Sequence, residues 1–143
     1  MSEFTEYLGG KVQRQVLPVL TDPRLVAASA RKRIALPQGE LAQIYSDSVG
    51  IHYIACVELS GSFPRGNHYH RNKEEWIYVM RGKVRLVVEN VESRERESLE
   101  CPAGDLVVVY PGIAHAVHVL EPGLAVEFSP QEFDPADVVR YPL

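Results

Sequence analysis

The 143-residue sequence has little cysteine and no long run of apolar residues. Two cysteines are too few for the disulfide framework of a small secreted domain, so Cys56 and Cys101 are expected to be reduced core residues. No apolar stretch is long enough to cross a bilayer as a helix. The first six residues lack the basic start and apolar run of a signal peptide, which predicts a cytoplasmic location.

The sequence also lacks an excess of basic residues. Its 15 Lys and Arg stand against 19 Asp and Glu, giving a net charge of −4. Without a basic block, binding to nucleic-acid phosphates is not expected. The hydrophobic content of 45% and charged content of 24% are ordinary for a globular protein of one domain. We therefore expect a small-molecule partner rather than a nucleic acid or a membrane.

Residues 37–143 have the pattern of short β-strands separated by Gly and Pro turns. Apolar, β-branched and aromatic residues fill segments such as Trp76–Met80 and Val84–Glu89. Between these two segments, Arg81–Lys83 contains a central glycine and predicts a tight hairpin turn. Many such strands predict an all-β fold, a closed or sandwich-like antiparallel barrel.

Residues 1–36 differ from the rest and form a predicted N-terminal extension. Val12–Leu17 could be a short strand. Thr21–Arg24 offers a helix cap with proline at the first helical position, and Leu25–Lys32 has good helix formers ending in positive charge. We expect a short strand and a helix that pack on the barrel or on a second subunit, and the prior for the assembly is a homodimer.

Four side chains in two separate segments are candidates for one metal site. His68 and His70 are two residues apart, so on a strand both imidazoles point to the same face. Glu74 and Glu75 compete to add a carboxylate, and Glu75 is favoured because it shares its face with the apolar positions of the following strand. His115 follows a Pro-Gly turn that could aim it back at this segment.

This donor set predicts a divalent transition metal. Imidazole nitrogens and a carboxylate oxygen suit zinc, iron, nickel or manganese, and the same ligands hold several of these ions. A single histidine in a polar loop would more often be a solvated surface residue. Three histidines and a glutamate at this spacing favour a metal site instead.

Four further residues are candidates for catalytic proton transfer. His52 could project into the same cavity from an adjacent strand, and histidine titrates near neutral pH. Lys73 lies two residues before Glu75. Tyr45 and Glu127 lie on strands that could line the barrel mouth. Each of the four could equally be a structural or solvated residue.

The metal-ligand pattern resembles the two motifs of the cupin superfamily. His68, His70, Glu75 and Gly82 match the first motif in spacing. Gly104, Gly112 and His115 match the second, in which Tyr110 stands at the usual Pro and Val119 at the usual Asn. The resemblance implies a double-stranded β-helix, also called a jelly-roll barrel, that holds a metal on His68, His70, Glu75 and His115.

A narrower resemblance concerns cupins that act on activated sugars. Residues 65–70, with Lys73, Glu75 and the tail Glu132–Pro135, are similar to the C-terminal cupin domains of capsule-polysaccharide sugar-nucleotide enzymes. They also resemble small cupins that isomerise or epimerise nucleotide-linked 4-keto-6-deoxysugars. The resemblance implies an isomerase or epimerase that uses metal-assisted proton transfer. The alternatives are an iron-dependent dioxygenase, a polyketide cyclase or a non-catalytic cupin that binds a small ligand.

Overall fold

Almost all regular secondary structure in the described chain is β-strand. The computed structural model describes residues 3–22, 24 and 31–143, and within these ranges no α-helix occurs. Short 3₁₀ turns include Leu8–Gly10 and Pro135–Asp137. The strands are β1 (Glu3–Tyr7), β2 (Val12–Val16), β3 (Val19–Leu20), β4 (Lys32–Leu36), β5 (Gly39–Gln43), β6 (Tyr53–Leu59), β7 (Arg65–His70), β8 (Glu75–Asn90), β9 (Arg96–Pro102), β10 (Asp105–Val109), β11 (Ile113–Ser129) and β12 (Val138–Arg140).

Two long strands, β8 and β11, run antiparallel through both layers of the fold. The first half of β8 and the second half of β11 lie in one layer, between β10 and β6. The second half of β8 and the first half of β11 lie in the other layer, between β9 and β7. This arrangement is a jelly-roll barrel, and the predicted all-β class is confirmed.

The layers join where β8 bends at Gly82. The segments on either side of Gly82 both pair with β11 rather than with each other, so the predicted hairpin turn is wrong. Gly82 has a φ of +84°, and a Cβ there would lie 2.5 Å from the carbonyl oxygen of Glu121 and 2.6 Å from that of Pro122. The bend therefore needs glycine. A glycine between two short apolar segments is compatible both with a bend within one strand and with a turn between two strands, so the sequence pattern alone does not distinguish them.

Alternation along the first half of β8 divides the core into two parts. Ile77 and Val79 face the barrel interior with Val57, Leu86 and other apolar residues. Trp76 and Tyr78 face the opposite side, where they pack with Leu17, Leu106, Val108 and Phe128. The interior is thus apolar at one end and leaves the other end to the polar side chains of β7 and β11.

The two cysteines have different environments. Cys101 is buried in the interior cluster, as expected. Cys56 is exposed, because it lies on the outward face of β6 with Ile54 and Glu58, and its prediction as a core residue is wrong. Alternation alone shows that the two faces of β6 differ but not which one faces inward.

The N-terminal extension joins the barrel through a strand. β2 covers most of the predicted strand, and it pairs antiparallel with β10 on one side and with β1 on the other. Most of the predicted helix, residues 25–30, lies outside the described residues. The described part of the extension is strand and 3₁₀ turn, so the helical character predicted for it is not seen there.

The division at residue 36 stays a prediction. β4 and β5, on either side of it, pair antiparallel with each other, and β4 also pairs parallel with β3, in a small separate sheet. In the described residues, no helix has the length and apolar character that a membrane crossing requires.

Candidate metal centre

Three neighbouring strands bring the four predicted ligands together. His68 and His70 lie two apart on β7, so their imidazoles share the inward face. β11 pairs with β7 so that His115 stands opposite His68. Glu75 is the first residue of β8, directly after the short loop that follows β7.

The donor atoms of these four residues lie within 4.8 Å of one another. Nε2 of His115 is 2.7 Å from Oε2 of Glu75, and Nε2 of His70 is 3.9 Å from the same oxygen. The ring of His68 stands edge-on to the other two imidazoles, with ring centroids 5.0 Å from His70 and 4.9 Å from His115. The four donors therefore converge on one point.

The cluster fits a divalent metal because its polar atoms are buried and incompletely paired. His70 is 5% exposed, and within the described residues neither of its ring nitrogens has a hydrogen-bond partner. An orphaned buried imidazole is costly unless something binds it. The Nδ1 atom of His115 lies 3.1 Å from the carbonyl oxygen of Ile113, to which an N–H can donate, and this orients Nε2 toward the cluster.

The electrostatics of the cluster favour an ionised carboxylate and neutral imidazoles on β7. Burial opposes ionisation of Glu75, but the charge and hydrogen bond of His115, followed by the electrostatic effects of His70 and Lys73, outweigh it and lower the pKa of Glu75 to about 2. Burial lowers the pKa of His115, and the adjacent Glu75 carboxylate more than offsets this, so the pKa of His115 is raised. Burial lowers the pKa of His68 to about 4.

The two adjacent glutamates point in opposite directions. Glu75 is 5% exposed and lies on the strand face that carries Ile77 and Val79. Glu74 lies on the other face, where its Oε1 accepts a hydrogen bond from Nε1 of Trp76 at 3.2 Å. The structure therefore brings Glu75, and not Glu74, to the histidines.

A small cavity of about 130 Å³ opens beside the cluster. Glu127 of β11 enters it because position 127 alternates with the outward-facing Val126 and Phe128. Burial, and then the charge of Glu75, raises the pKa of Glu127. The cavity is lined by Arg65, Gly66, His68, Glu75, His115, Val117 and Glu127.

Lys73 lies close to the cluster and is almost fully buried. It is 4% exposed, and its Nζ lies 3.9 Å from the centroid of the Tyr53 ring. Tyr53 in turn stacks on Phe133, with centroids 6.2 Å apart. Tyr53 was not predicted as a site residue. It is half-buried at the start of β6, whereas the preceding His52 is exposed.

Two predicted catalytic residues lie away from the cavity. His52, directly before β6, is exposed, and its Nδ1 is 2.7 Å from the carbonyl oxygen of Pro130. Tyr45 packs against Trp76 and Phe128 in the second core cluster, and its hydroxyl donates to the carbonyl oxygen of Val49. Neither side chain faces the four-residue cluster, because both lie on the outer face of the layer that contains β6 and β10.

Comparison with known proteins gives a family and a set of structural neighbours. A family model described as "Cupin domain" matches residues 54–129. Those residues include all four clustered side chains. No curated protein matches the sequence.

The structural neighbours include enzymes of sugar-nucleotide chemistry. A dTDP-4-dehydrorhamnose 3,5-epimerase from Sulfolobus tokodaii is 17% identical, with a TM-score of 0.73 over 96% of this chain and 80% of that one. A 3,4-ketoisomerase from Helicobacter canadensis is 14% identical, with a TM-score of 0.68 over 78% and 86%. A 3,4-ketoisomerase variant from Thermoanaerobacterium thermosaccharolyticum, bound to TDP-4-keto-6-deoxyglucose, is 15% identical, with a TM-score of 0.67 over 78% and 83%. At these identities the likeness shows a shared fold.

Proposed function

The chain belongs to the cupin family, and we propose that it is a metal-dependent isomerase or epimerase of an activated keto-sugar. The reaction is the transfer of a proton at a carbon next to a ketone. The resemblance to sugar-nucleotide cupins supports the substrate class. The geometry of the cavity supports the reaction type.

One observation carries the proposal: Glu127 lines the same cavity as three members of the metal cluster. Removing a proton from carbon next to a ketone needs a base on that proton and positive charge near the ketone oxygen. The carboxylate of Glu127 supplies the base. His68, Glu75 and His115 place a metal site on the same small space, so one substrate can reach both.

The metal in this proposal is held by His68, His70, Glu75 and His115. When bound, a divalent ion supplies a Lewis acid for a carbonyl oxygen. The His115–Glu75 contact and the buried His70 supply a donor set that is already assembled. Arg65 and Lys73 add positive charge from the protein itself, and both charges lower the pKa of Glu127 against the opposing effect of burial.

Glu127 carries the proton in both directions. Its carboxylate takes the proton from the substrate carbon and becomes a neutral carboxylic acid, while the electron pair of the C–H bond moves toward the ketone oxygen. Returning the proton to the former ketone carbon gives a ketoisomer, once the hydroxyl proton of the first carbon has moved to the former ketone oxygen. An epimer forms when water instead protonates the first carbon on its opposite face and Glu127 gives its proton to solvent. The raised pKa of Glu127 makes its carboxylate a stronger base than an exposed glutamate, which suits a group that must both accept and return a proton.

The size of the cavity limits how much of the substrate it contains. Sites that enclose a drug-sized ligand are roughly 300–1,000 Å³, whereas this cavity is about 130 Å³. The reacting part of the sugar therefore lies inside and the remainder lies outside. Arg65, which is exposed at the cavity wall, is placed to meet an anionic part of the substrate.

Deuterium exchange tests this function directly. The zinc-, manganese-, nickel- or iron-loaded protein is incubated in D₂O with TDP-4-keto-6-deoxyglucose and other 4-keto-sugar nucleotides, and carbon-bound deuterium is measured by NMR. We expect exchange next to the ketone with the loaded protein and none after chelation. Absence of exchange across the whole panel with verified metal loading would contradict the proposed reaction.

A second candidate function is an iron-dependent dioxygenase, because three imidazoles and a carboxylate also suit iron. Oxygen separates the two reactions. The isomerase reaction proceeds unchanged under anaerobic conditions and conserves the mass of the substrate. Turnover that requires iron and O₂ and adds oxygen to the product would favour the dioxygenase.

A further inference from the structure

Asp137 is a buried carboxylate that holds the loop between two of the proposed metal ligands. It is 6% exposed and lies at the end of the second 3₁₀ turn. Its Oδ1 accepts hydrogen bonds from the backbone N–H of Arg71 at 3.0 Å and of Asn72 at 2.9 Å, and its Oδ2 accepts from the backbone N–H of Lys73 at 3.0 Å. One side chain thus binds three consecutive amides of the loop that joins His70 to Glu75.

The same carboxylate faces the outer nitrogen of His70. Oδ2 of Asp137 lies 3.7 Å from Nδ1 of His70, while Nε2 of His70 points toward Glu75. Nδ1 is buried and has no hydrogen-bond partner within the described residues. A small rotation of the imidazole would bring Nδ1–H to Asp137, and a metal on Nε2 would require that tautomer.

The backbone around Asp137 keeps this contact in place. β12 follows Asp137 directly and pairs with β7, with Val138 opposite His70. The backbone N–H of Tyr141 donates to the carbonyl oxygen of Asn67 at 2.8 Å, on the same strand. The C-terminal segment is therefore bonded along the strand that carries both β7 histidines.

We propose that Asp137 is a positioning residue for the metal centre, which fixes the loop between His70 and Glu75 and orients His70 with Nδ1 protonated and Nε2 toward the metal. This inference rests on the proposed metal site and adds a residue outside its four ligands. Partners that orient a metal-ligating histidine typically change metal affinity by about 10- to 100-fold when they are replaced.

Zinc affinity of the full-length chain tests the inference, and Asp134 offers a matched control. Asp137→Asn keeps the shape of the side chain but replaces one acceptor oxygen with a donor. We expect its affinity for Zn²⁺, measured by competition with a chromophoric chelator, to fall by about 10- to 100-fold. Asp134 is exposed in the same segment, where its Oδ1 accepts from the N–H of Ala136 at 2.9 Å. Asp134→Asn should bind Zn²⁺ as the unmodified chain does.

The outcomes separate a positioning role from general support of the fold. An unchanged affinity in Asp137→Asn, or an equal loss in Asp134→Asn, overturns the inference. If the unmodified chain binds no Zn²⁺, the proposed metal centre itself fails. If it binds Zn²⁺ and only the Asp137 result is negative, the metal centre stands without this residue.

Nitrogen NMR of the zinc-loaded, unmodified chain provides a test that does not depend on the folding of a variant. The ¹⁵N shifts of His70 should show a protonated Nδ1 and a zinc-bound Nε2. Zinc on Nδ1 of His70 would overturn the proposed orientation. A loss of zinc affinity in Asp137→Asn that leaves the ¹⁵N shifts of His70 unchanged would do the same.

Discussion

Nε2 of His115 lies 2.7 Å from Oε2 of Glu75, which makes a buried ion pair between β11 and β8 at the centre of the candidate metal site. Both residues are under 6% exposed, at 3% and 5%. An unpaired charge on either residue would be costly in this buried environment, and each residue compensates the charge of the other. The pair keeps two donors close together, and a metal cation would replace the proton that His115 carries.

The first prediction concerns the pH dependence of metal binding. The pKa of His115 is raised above its usual 6.5, whereas burial lowers the pKa of His68 to about 4 and also lowers that of His70. At pH 6.5, His115 is therefore mostly protonated and both β7 histidines are mostly neutral, so the metal displaces a proton chiefly from His115. Zinc binding should therefore release about one proton, and affinity should rise with pH until the raised pKa of His115 is passed.

Calorimetry in buffers of different ionisation enthalpy measures this proton release. Release of two or three protons at pH 6.5 would show that the β7 histidines are also charged. Absence of any release would contradict the His115–Glu75 ion pair.

The second prediction concerns Glu127 as the proton carrier. Glu127→Gln should lower deuterium exchange into a 4-keto-sugar nucleotide by about 10²- to 10⁴-fold, because the amide cannot take the proton. Metal content should not change, since Glu127 is outside the four-residue cluster. Glu58→Gln is a suitable control, because Glu58 is exposed on the outward face of β6. Equal exchange rates in the two variants would remove Glu127 from the mechanism.

The third prediction concerns the close approach of β7 to β11 at Gly66. Gly66 has a φ of +89°, and a Cβ there would lie 2.7 Å from the carbonyl oxygen of His115. Gly61 has a similar φ of +78° but no atom within 4 Å of its Cβ position. Gly66→Ala should therefore lower the free energy of unfolding by about 1–3 kcal/mol more than Gly61→Ala does.

Denaturant unfolding of both glycine variants measures that difference, and zinc titration adds a second readout. Gly66→Ala should also weaken zinc binding, because it separates His68 from His115. Equal free energies of unfolding in the two variants would mean that β7 and β11 can move apart without cost. Their close approach would then not determine the positions of His68 and His115.

The convergence of His68, His70 and Glu75 could be predicted because it depends on local alternation. Two histidines separated by one residue must share a face of an extended strand, and the apolar pattern after Glu75 indicates which glutamate points inward. The position of His115 depends on the pairing of β11 with β7, which alternation along one strand cannot predict. It was predicted instead from the resemblance to the cupin motifs. The all-β class followed from the same strand patterns.

The other residues of the site depend on contacts that the sequence does not reveal. His52 was a candidate because histidine suits proton transfer, but the side chain that faces inward at this end of β6 is the neighbouring Tyr53. Asp137 went unnoticed because its role arises from the docking of the C-terminal segment on β7. The homodimer, the cytoplasmic location and the division at residue 36 stay predictions.

The central claim is that His68, His70, Glu75 and His115 hold one metal ion. Elemental analysis of the purified chain, after reconstitution with Zn²⁺ and removal of the excess, tests it most directly. We expect about one equivalent in the unmodified chain and none in a variant with His68→Ala and His70→Ala, with the β-rich circular dichroism spectrum retained in both. A chain that stays metal-free after reconstitution, or a double variant with undiminished metal content, would contradict the claim.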